Sequence, residues 1–201
     1  MAKDGGGAHT PPASESDEEL IHQFQEGADR AFNLLVGRYK DQLMNFVYRF
    51  LGDYDEADDV VQETFVRLWR SKQSYRPVAK FSTWLYTIAA NLARTQLSRR
   101  KRHAFFSLSR PRSADGALPE IPDTRYAADA MAESTLTSGL IAEALKKLPA
   151  KYREVVILCD IQELSYDEIC RITGANMGTV KSRLSRGRSQ LQELLKDIPR
   201  E

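Results

Sequence analysis

Between Ala104 and Leu136 the apolar periodicity of this 201-residue chain fails, and on both sides of the gap it is helical. Pro111, Gly116, Pro119, Pro122 and several serines fill the gap, with one short helix predicted around Ala127 to Met131. A chain interrupted in this way does not build one large core. It is predicted to fold all-α, as two small helical domains (16–103 and 137–201) joined by a flexible linker (104–136), each with a modest core. Residues 1–15, with consecutive glycines and Pro11–Pro12, form a predicted disordered tail. Extended, the linker can separate the domains by well over one turn of B-DNA, about 34 Å.

The N-terminal half opens on Ser16-Asp-Glu-Glu19, the S-x-x-E form of a capping box, which predicts a helix start. Phe32, Leu35, Val36, Tyr39, Leu43, Phe46, Val47 and Phe50 keep a 3.6-residue period that Gly52 and Asp53 end. The next segment divides cleanly. Ala57, Val60, Val61, Thr64, Phe65 and Leu68 share one face, and Asp55, Asp58, Asp59 and Gln62 share the other. Asp53 to Glu63 holds six acidic residues and no basic one, so this face is predicted to lack internal partners and to dock a basic surface.

Phe81 to His103 has the opposite character. Phe81, Trp84, Leu85, Ile88, Ala89, Leu92, Gln96 and Leu97 are placed on an apolar stripe, with Thr87, Asn91, Arg94, Thr95 and Ser98 on the far side. The segment runs into Arg99, Arg100, Lys101 and Arg102 and contains no acid. One face packs while the other offers amide, hydroxyl and guanidinium donors to an anion, as a single strand of nucleic acid requires. Cations at a helix C-terminus also complement the helix dipole, which leaves a plain solvated end as the alternative. Residues 71–80 form a loop, because Pro77 drives Arg76 out of the α region. Tyr75, Arg76 and Lys80 therefore stand beside the basic helix, where they can hold an extruded base or merely connect two helices.

The C-terminal half is predicted as four helices. Leu140, Ile141, Ala144, Leu145 and Leu148 form one stripe, and Pro149 opens a helix carrying Val155, Val156 and Leu158. Ser165-Tyr-Asp-Glu168 is a second capping box. After the Thr173-Gly174-Ala175 turn, Asn176 caps a last helix that buries Met177, Val180, Leu184, Leu191 and Leu194. This is a helix-turn-helix pattern. Thr179, Ser182, Arg183 and Arg186 occupy the face opposite that core, placed to reach base edges, and Lys181 and Arg188 flank them at phosphate positions.

The net charge of +1 hides this segregation of acid and base, which suits separate partners for separate surfaces. Cys159 and Cys170 lie outside any metal-binding spacing and read as small core residues of a cytoplasmic protein. His9, His22 and His103 are too scattered for a triad, and no cofactor or metal is expected. No apolar run approaches a membrane span. Two other readings stay open on the residues alone. One is a stand-alone helix-turn-helix regulator, and the other is a nucleic-acid enzyme using Asp55, Asp58 and Asp59 for Mg²⁺.

Three blocks carry a resemblance to a known family. DEADDVVQETFVRLWR, FSTWLYTIAANLARTQLSRRKR and LPAKYREVVILCDIQELSYDEICRITGANMGTVKSRLSRGR follow in order and are similar to the second and fourth conserved regions of the extracytoplasmic-function (ECF) group of bacterial sigma factors. The resemblance implies a non-catalytic subunit of RNA polymerase that directs promoter-specific initiation and helps melt the −10 region. Asp55, Asp58, Asp59, Gln62 and Glu63 would face the β′ clamp helices, and the C-terminal domain would meet the β flap. Arg76, Lys80, Trp84, Asn91, Arg94, Arg99, Arg100, Lys101 and Arg102 would serve −10 recognition and melting. Thr179, Lys181, Ser182, Arg183, Arg186 and Arg188 would lie at the −35 element. An anti-sigma protein is a further partner class that the family implies, and the residues do not identify one.

Overall fold

The computed structural model describes residues 15–108 and 132–196, so the predicted tail and the short helix at 127–131 lie outside the described residues. Among the described residues there are eight helices and no strand. They are α1 (Asp17–Gln25), α2 (Asp29–Leu51), α3 (Tyr54–Ser71), α4 (Phe81–Leu108), α5 (Ala132–Lys147), α6 (Ala150–Val156, continued by a π turn over Ile157–Ile161), α7 (Tyr166–Thr173) and α8 (Met177–Leu194). Helices α4 and α5 extend into both ends of the expected linker.

The start and stop signals work as local chemistry requires. Ser16 and Ser165 form reciprocal capping boxes with Glu19 and Glu168, while Asp53 and Asn176 accept from Glu56 N and Thr179 N. Gly52 ends α2 at φ 78°, a left-handed conformation that costs a side-chain-bearing residue energy. Helix α4 follows Lys80, whose ammonium has no lone pair to accept from the first amides. Its first amide, Phe81 N, instead donates to the Glu18 carboxylate of α1 at 3.0 Å, so one helix caps another.

The N-terminal domain packs α1, α2, α3 and α4 around Leu20, Phe24, Leu35, Leu43, Phe46 and Phe81, all fully buried. All six apolar-face residues of α3 are buried as the periodicity predicts. Phe24, Phe32 and Trp69 form an aromatic cluster with centroid separations near 5 Å, and Lys72 caps it with its ammonium 4.0 Å from the Phe24 ring. In the C-terminal domain, α6 runs through the middle. Every residue from Tyr152 to Leu158 is buried, including Arg153 and Glu154. Leu140, midway along α5, and Leu194, the last residue of α8, both expected in that core, are exposed. Met177 and Leu191 are half-buried.

The two halves, expected as independent modules, pack against each other. Helix α4 lies along α7, and α2 meets α5, α6 and the π turn, so one apolar cluster runs through both domains. The stripe assigned to α4 covers only part of what it buries: Tyr86, Ala90 and Ala93 are also inside, whereas Trp84, Ile88, Leu92, Gln96 and Leu97 are half-buried. Tyr86 donates its hydroxyl to Gln162 of the C-terminal domain at 2.5 Å, which shows what covers that second face. Arg153 ties the join from the other side. Its guanidinium donates to Phe50 O of α2 at 2.6 Å, and to Lys146 O and Leu148 O at 2.6 and 3.0 Å.

Within the C-terminal domain, α6 and α8 cross at Gly187. A Cβ there would stand 2.7 Å from Val156 Cγ2 and 3.4 Å from the Tyr152 carbonyl. Val156 is buried and branched, so it cannot swing aside. Gly187→Ala is expected to lose about 1 kcal/mol net, the overpacking strain exceeding alanine's helical advantage. A urea midpoint equal to or above that of the parent chain would show that α8 can slide at no cost.

Candidate nucleic-acid and polymerase interfaces

On α3 the spacing 55, 58, 59, 62 places Asp55, Asp58, Asp59 and Gln62 on one outer face. Asp55, Asp59 and Gln62 are exposed, and Asp58 is half-buried and accepts from Gln62 at 2.6 Å. Among the described residues Asp55 and Asp59 have no ion-pair partner. The expectation that the whole acidic run is unpaired needs correction. Glu56 meets Arg100 of α4 at 3.6 Å, and Glu63 meets Arg67 one turn on at 2.9 Å. Asp53 is spent on capping. The free charge is therefore concentrated on Asp55, Asp58 and Asp59.

The loop before α4 is built on a buried strut. Tyr75 is 5 % exposed and packs against Phe81 and Trp84, with its hydroxyl donating to Ala79 O at 3.0 Å. It is therefore not one of the solvent-facing loop groups that its position suggests. Burial, then the carboxylates Glu18 and Asp17, push its phenol above the ordinary value. The strut holds Arg76, Pro77 and Val78 outward, and Val78 is 79 % exposed, the kind of apolar tip that can lie against a base. Arg76 bonds back to Gln73 O and Tyr75 O, which stiffens the loop.

Along α4, Asn91, Arg94, Thr95, Ser98, Lys101 and Arg102 line one open depression. Thr95 and Ser98 return their hydroxyls to carbonyls one turn back, and Arg94 donates to Asn91 Oδ1 at 2.6 Å. Lys101 and Arg102 are exposed, as is Arg99 beside them. Trp84 is half-buried between Tyr75 and Phe81, so one edge remains outward.

Helix α8 shows a division of faces like that of α3. Val180, Leu184 and Gly187 are buried; Lys181, Ser182 and Arg186 are exposed, and Thr179 and Arg183 half-buried. The Arg186 guanidinium beside Tyr152 holds that phenol below its usual range. Arg188 is engaged within its own domain, bidentate to Asp160 at 3.1 and 2.5 Å, and this contact raises its pKa further.

Residues 35–103 match the Sigma-70 region 2 family and residues 138–191 match Sigma-70, region 4. The chain is 37 % identical to the ECF RNA polymerase sigma factor SigW of Bacillus subtilis over 90 % of its own length and 97 % of that protein. It is 33 % identical to the RNA polymerase sigma-H factor of Pseudomonas aeruginosa, over 93 % and 97 %. The chain belongs to the ECF sigma factors. As such it acts in promoter-specific initiation of transcription by RNA polymerase. Among solved structures it resembles CnrH in complex with the cytosolic domain of CnrY (TM-score 0.66, 28 % identity, 92 % of this chain and 100 % of that one). It also resembles the sigma factor RpoE in complex with the anti-sigma factor NepR from Bartonella quintana (TM-score 0.64, 28 % identity, 84 % and 98 %). No described helix of this sigma factor is long and apolar enough to cross a membrane.

The residues that sequence reasoning missed lie where region 4 covers region 2. Glu154, nearly buried, stands with Oε1 3.2 Å from Arg94 Nη1, an ion pair whose angle misses a hydrogen bond. Burial pushes its carboxyl up, while Arg94 and then Arg183 pull it back. Arg94 also donates to Ile172 O at 3.3 Å. Lys80 meets Glu168 at 3.0 Å, and Arg171 donates to Val78 O at 3.0 Å. No local pattern signals these pairs, because their partners lie far away in the chain.

The Tyr75 strut is testable. Tyr75→Phe removes one hydrogen bond and is expected to cost about 1 kcal/mol. Tyr75→Ala empties a ring-sized site and is expected to cost about 3 kcal/mol or more, with a red shift in tryptophan emission. Equal urea midpoints for the two variants would show that the ring does not support the loop.

Proposed function

We propose that the three charged faces divide the work of initiation among three helices. The acidic face of α3 docks on core polymerase, on the basic side of the β′ clamp helices, with the C-terminal domain meeting the β flap. The loop 75–80 and the acid-free face of α4 take the non-template strand of the −10 element. The outer face of α8 enters the major groove of the −35 element. The observation that supports this most is the segregation itself: α3 carries only acidic charge as far as Glu63, whereas α4 has no acid and α8 carries only basic charge as far as Arg188. A helix face can meet a paired duplex, whereas an irregular loop held out by Tyr75 can enclose one extruded base. Unstacking that base costs a few kcal/mol, which phosphate contacts and the preformed loop offset.

In this reading the subunit supplies position and strand separation in the cytoplasm, and the polymerase supplies the catalytic centre. The RpoE and CnrH structures are complexes with NepR and the cytosolic domain of CnrY. By that likeness an anti-sigma protein is a further partner of this chain.

The test uses the reconstituted holoenzyme. Asp55→Lys with Asp59→Lys is expected to weaken core polymerase binding about a hundredfold or more, because like charges then oppose each other, with the circular-dichroism spectrum unchanged. Arg183→Ala or Arg186→Ala is expected to lose about 1–3 kcal/mol of duplex affinity and to relax specificity at one position. Arg76→Ala with Lys80→Ala should leave duplex binding intact and reduce the permanganate reactivity of open complexes. Loop variants that open promoters normally, or charge reversals on α3 that leave polymerase affinity unchanged, would overturn the assignment of that surface.

A further inference from the structure

Helix α1 stands ahead of residues 35–103, the segment that matches Sigma-70 region 2, and none of the charged faces proposed above lies on it. It nevertheless holds both ends of the segment that carries the loop 75–80. Glu18 and Gln25 are seven residues apart. That is close to two turns, so both leave α1 on one face, about 10 Å apart along its axis. At the start of the segment, Gln25 Nε2 donates to Lys72 O at 2.7 Å and to Tyr75 O at 3.3 Å. Gln73 Nε2 donates back to Gln25 O at 2.8 Å, and Lys72 sets its ammonium over the Phe24 ring of α1. At the far end the Glu18 carboxylate accepts from Phe81 N, the first amide of α4.

Helix α1 is itself fixed. Leu20, Ile21 and Phe24 are fully buried. Arg38 of α2 donates to Asp17 Oδ1 and to Glu15 O, each at 2.7 Å, and the Tyr39 hydroxyl donates to Asp17 as well. Asp17 is thus tied to α2 while the next residue reaches α4. The buried Tyr75 ring supports the loop from within, whereas Gln25 and Glu18 decide where it leaves the turn at Lys72–Ser74 and where α4 begins. A loop whose ends wander must be ordered when it takes a ligand, and the entropy lost then weakens binding. A loop already held in shape avoids that loss. The amides that open a helix also lack partners inside it, so without Glu18 the first turn of α4 is free to fray into the loop.

We propose that Glu18 and Gln25 are positioning residues for promoter opening: from one face of α1 they set both ends of the loop 75–80, so that the loop is preformed for an extruded base of the non-template strand. Neither side chain touches DNA in this arrangement; each acts through the main chain of the loop or of α4. The proposal rests on the reading that this loop takes the −10 strand.

The experiment uses the reconstituted holoenzyme of the full-length chain and a duplex promoter fragment that the parent holoenzyme has selected from random sequence. Glu18→Ala and Gln25→Ala remove the contacts at either end of the loop. Glu18→Gln removes the charge but keeps an oxygen that can accept from Phe81 N. The affinity for core polymerase, the affinity for the closed duplex at low temperature and the rate of opening by permanganate reactivity are read separately. Each alanine variant is expected to slow opening about tenfold, as the competent fraction of loop conformations falls, with both affinities within about twofold of the parent. Glu18→Gln is expected to open within about threefold of the parent rate, because the acceptor remains. A contribution to fold stability alone would lower the amount of folded chain, and with it both affinities together with the rate. Circular dichroism at the assay temperature reads that directly, and if Glu18→Ala unfolds, Gln25→Ala carries the test. Alanine variants that open at the parent rate, or that lose affinity in proportion to rate, overturn the proposal. Glu18→Gln opening as slowly as Glu18→Ala overturns the assignment of Glu18 as a cap. Arg76→Ala with Lys80→Ala then locates the failure: slow opening there beside normal alanine variants of α1 removes only the positioning role, whereas normal opening removes the reading of the loop itself.

Discussion

Tyr86, Ala90 and Ala93 give α4 a second buried face beside the one that carries Phe81, Leu85 and Ala89. A helix with two neighbouring faces to cover needs material on both, and here each domain supplies one side. Helix α7 packs along α4, and Tyr86 sets its ring against Phe46 of α2 while its hydroxyl reaches Gln162. About 100° of helix per residue sets Arg94 only about 40° from Ala90, at the border of the covered face. Its guanidinium therefore lies where the two domains meet, and its interactions depend on whether they are together.

Two charges are buried at this join, and they behave differently. Arg153 has no carboxylate partner among the described residues, and it is held by three main-chain carbonyls near the C-terminal ends of α2 and α5. Helix C-termini carry partial negative charge, so a cation placed there is compensated without an anion. Burial, together with Arg100, lowers its pKa, yet a guanidinium stays charged in a protein. Glu154 instead faces Arg94 across the join, with Arg183 as a second cation near it.

Much of this was legible in the chain because it is local. The two capping boxes, the Gly52 stop, the Asn176 cap and the stripe of α3 depend on residues within one or two turns of each other, and all appear as the spacing requires. The family was legible for a related reason, since its blocks are contiguous. What could not be read is non-local. Tyr75 looks like a loop aromatic until Phe81 and Trp84 fold back on it, and Arg153 and Glu154 look like surface charges in a run that proves to be covered on every side. Leu140 and Leu194 fit their helical periods, but the period says nothing about whether a neighbouring element covers each position. Glu56 seemed free because its partner, Arg100, lies on another helix.

The crossing at Gly187 has an evolutionary consequence. The seating of α8 is determined by the side that carries Val180, Leu184 and Gly187, where backbone approach leaves no room for change. The outward positions Lys181, Ser182, Ser185 and Arg186 bear little of that packing. Under the reading proposed for α8, mutational drift at these positions alters which duplex is addressed without a folding penalty. A duplicated copy of the gene can acquire a new set of targets through a few substitutions in a single helix, while the scaffold that presents it is inherited unchanged.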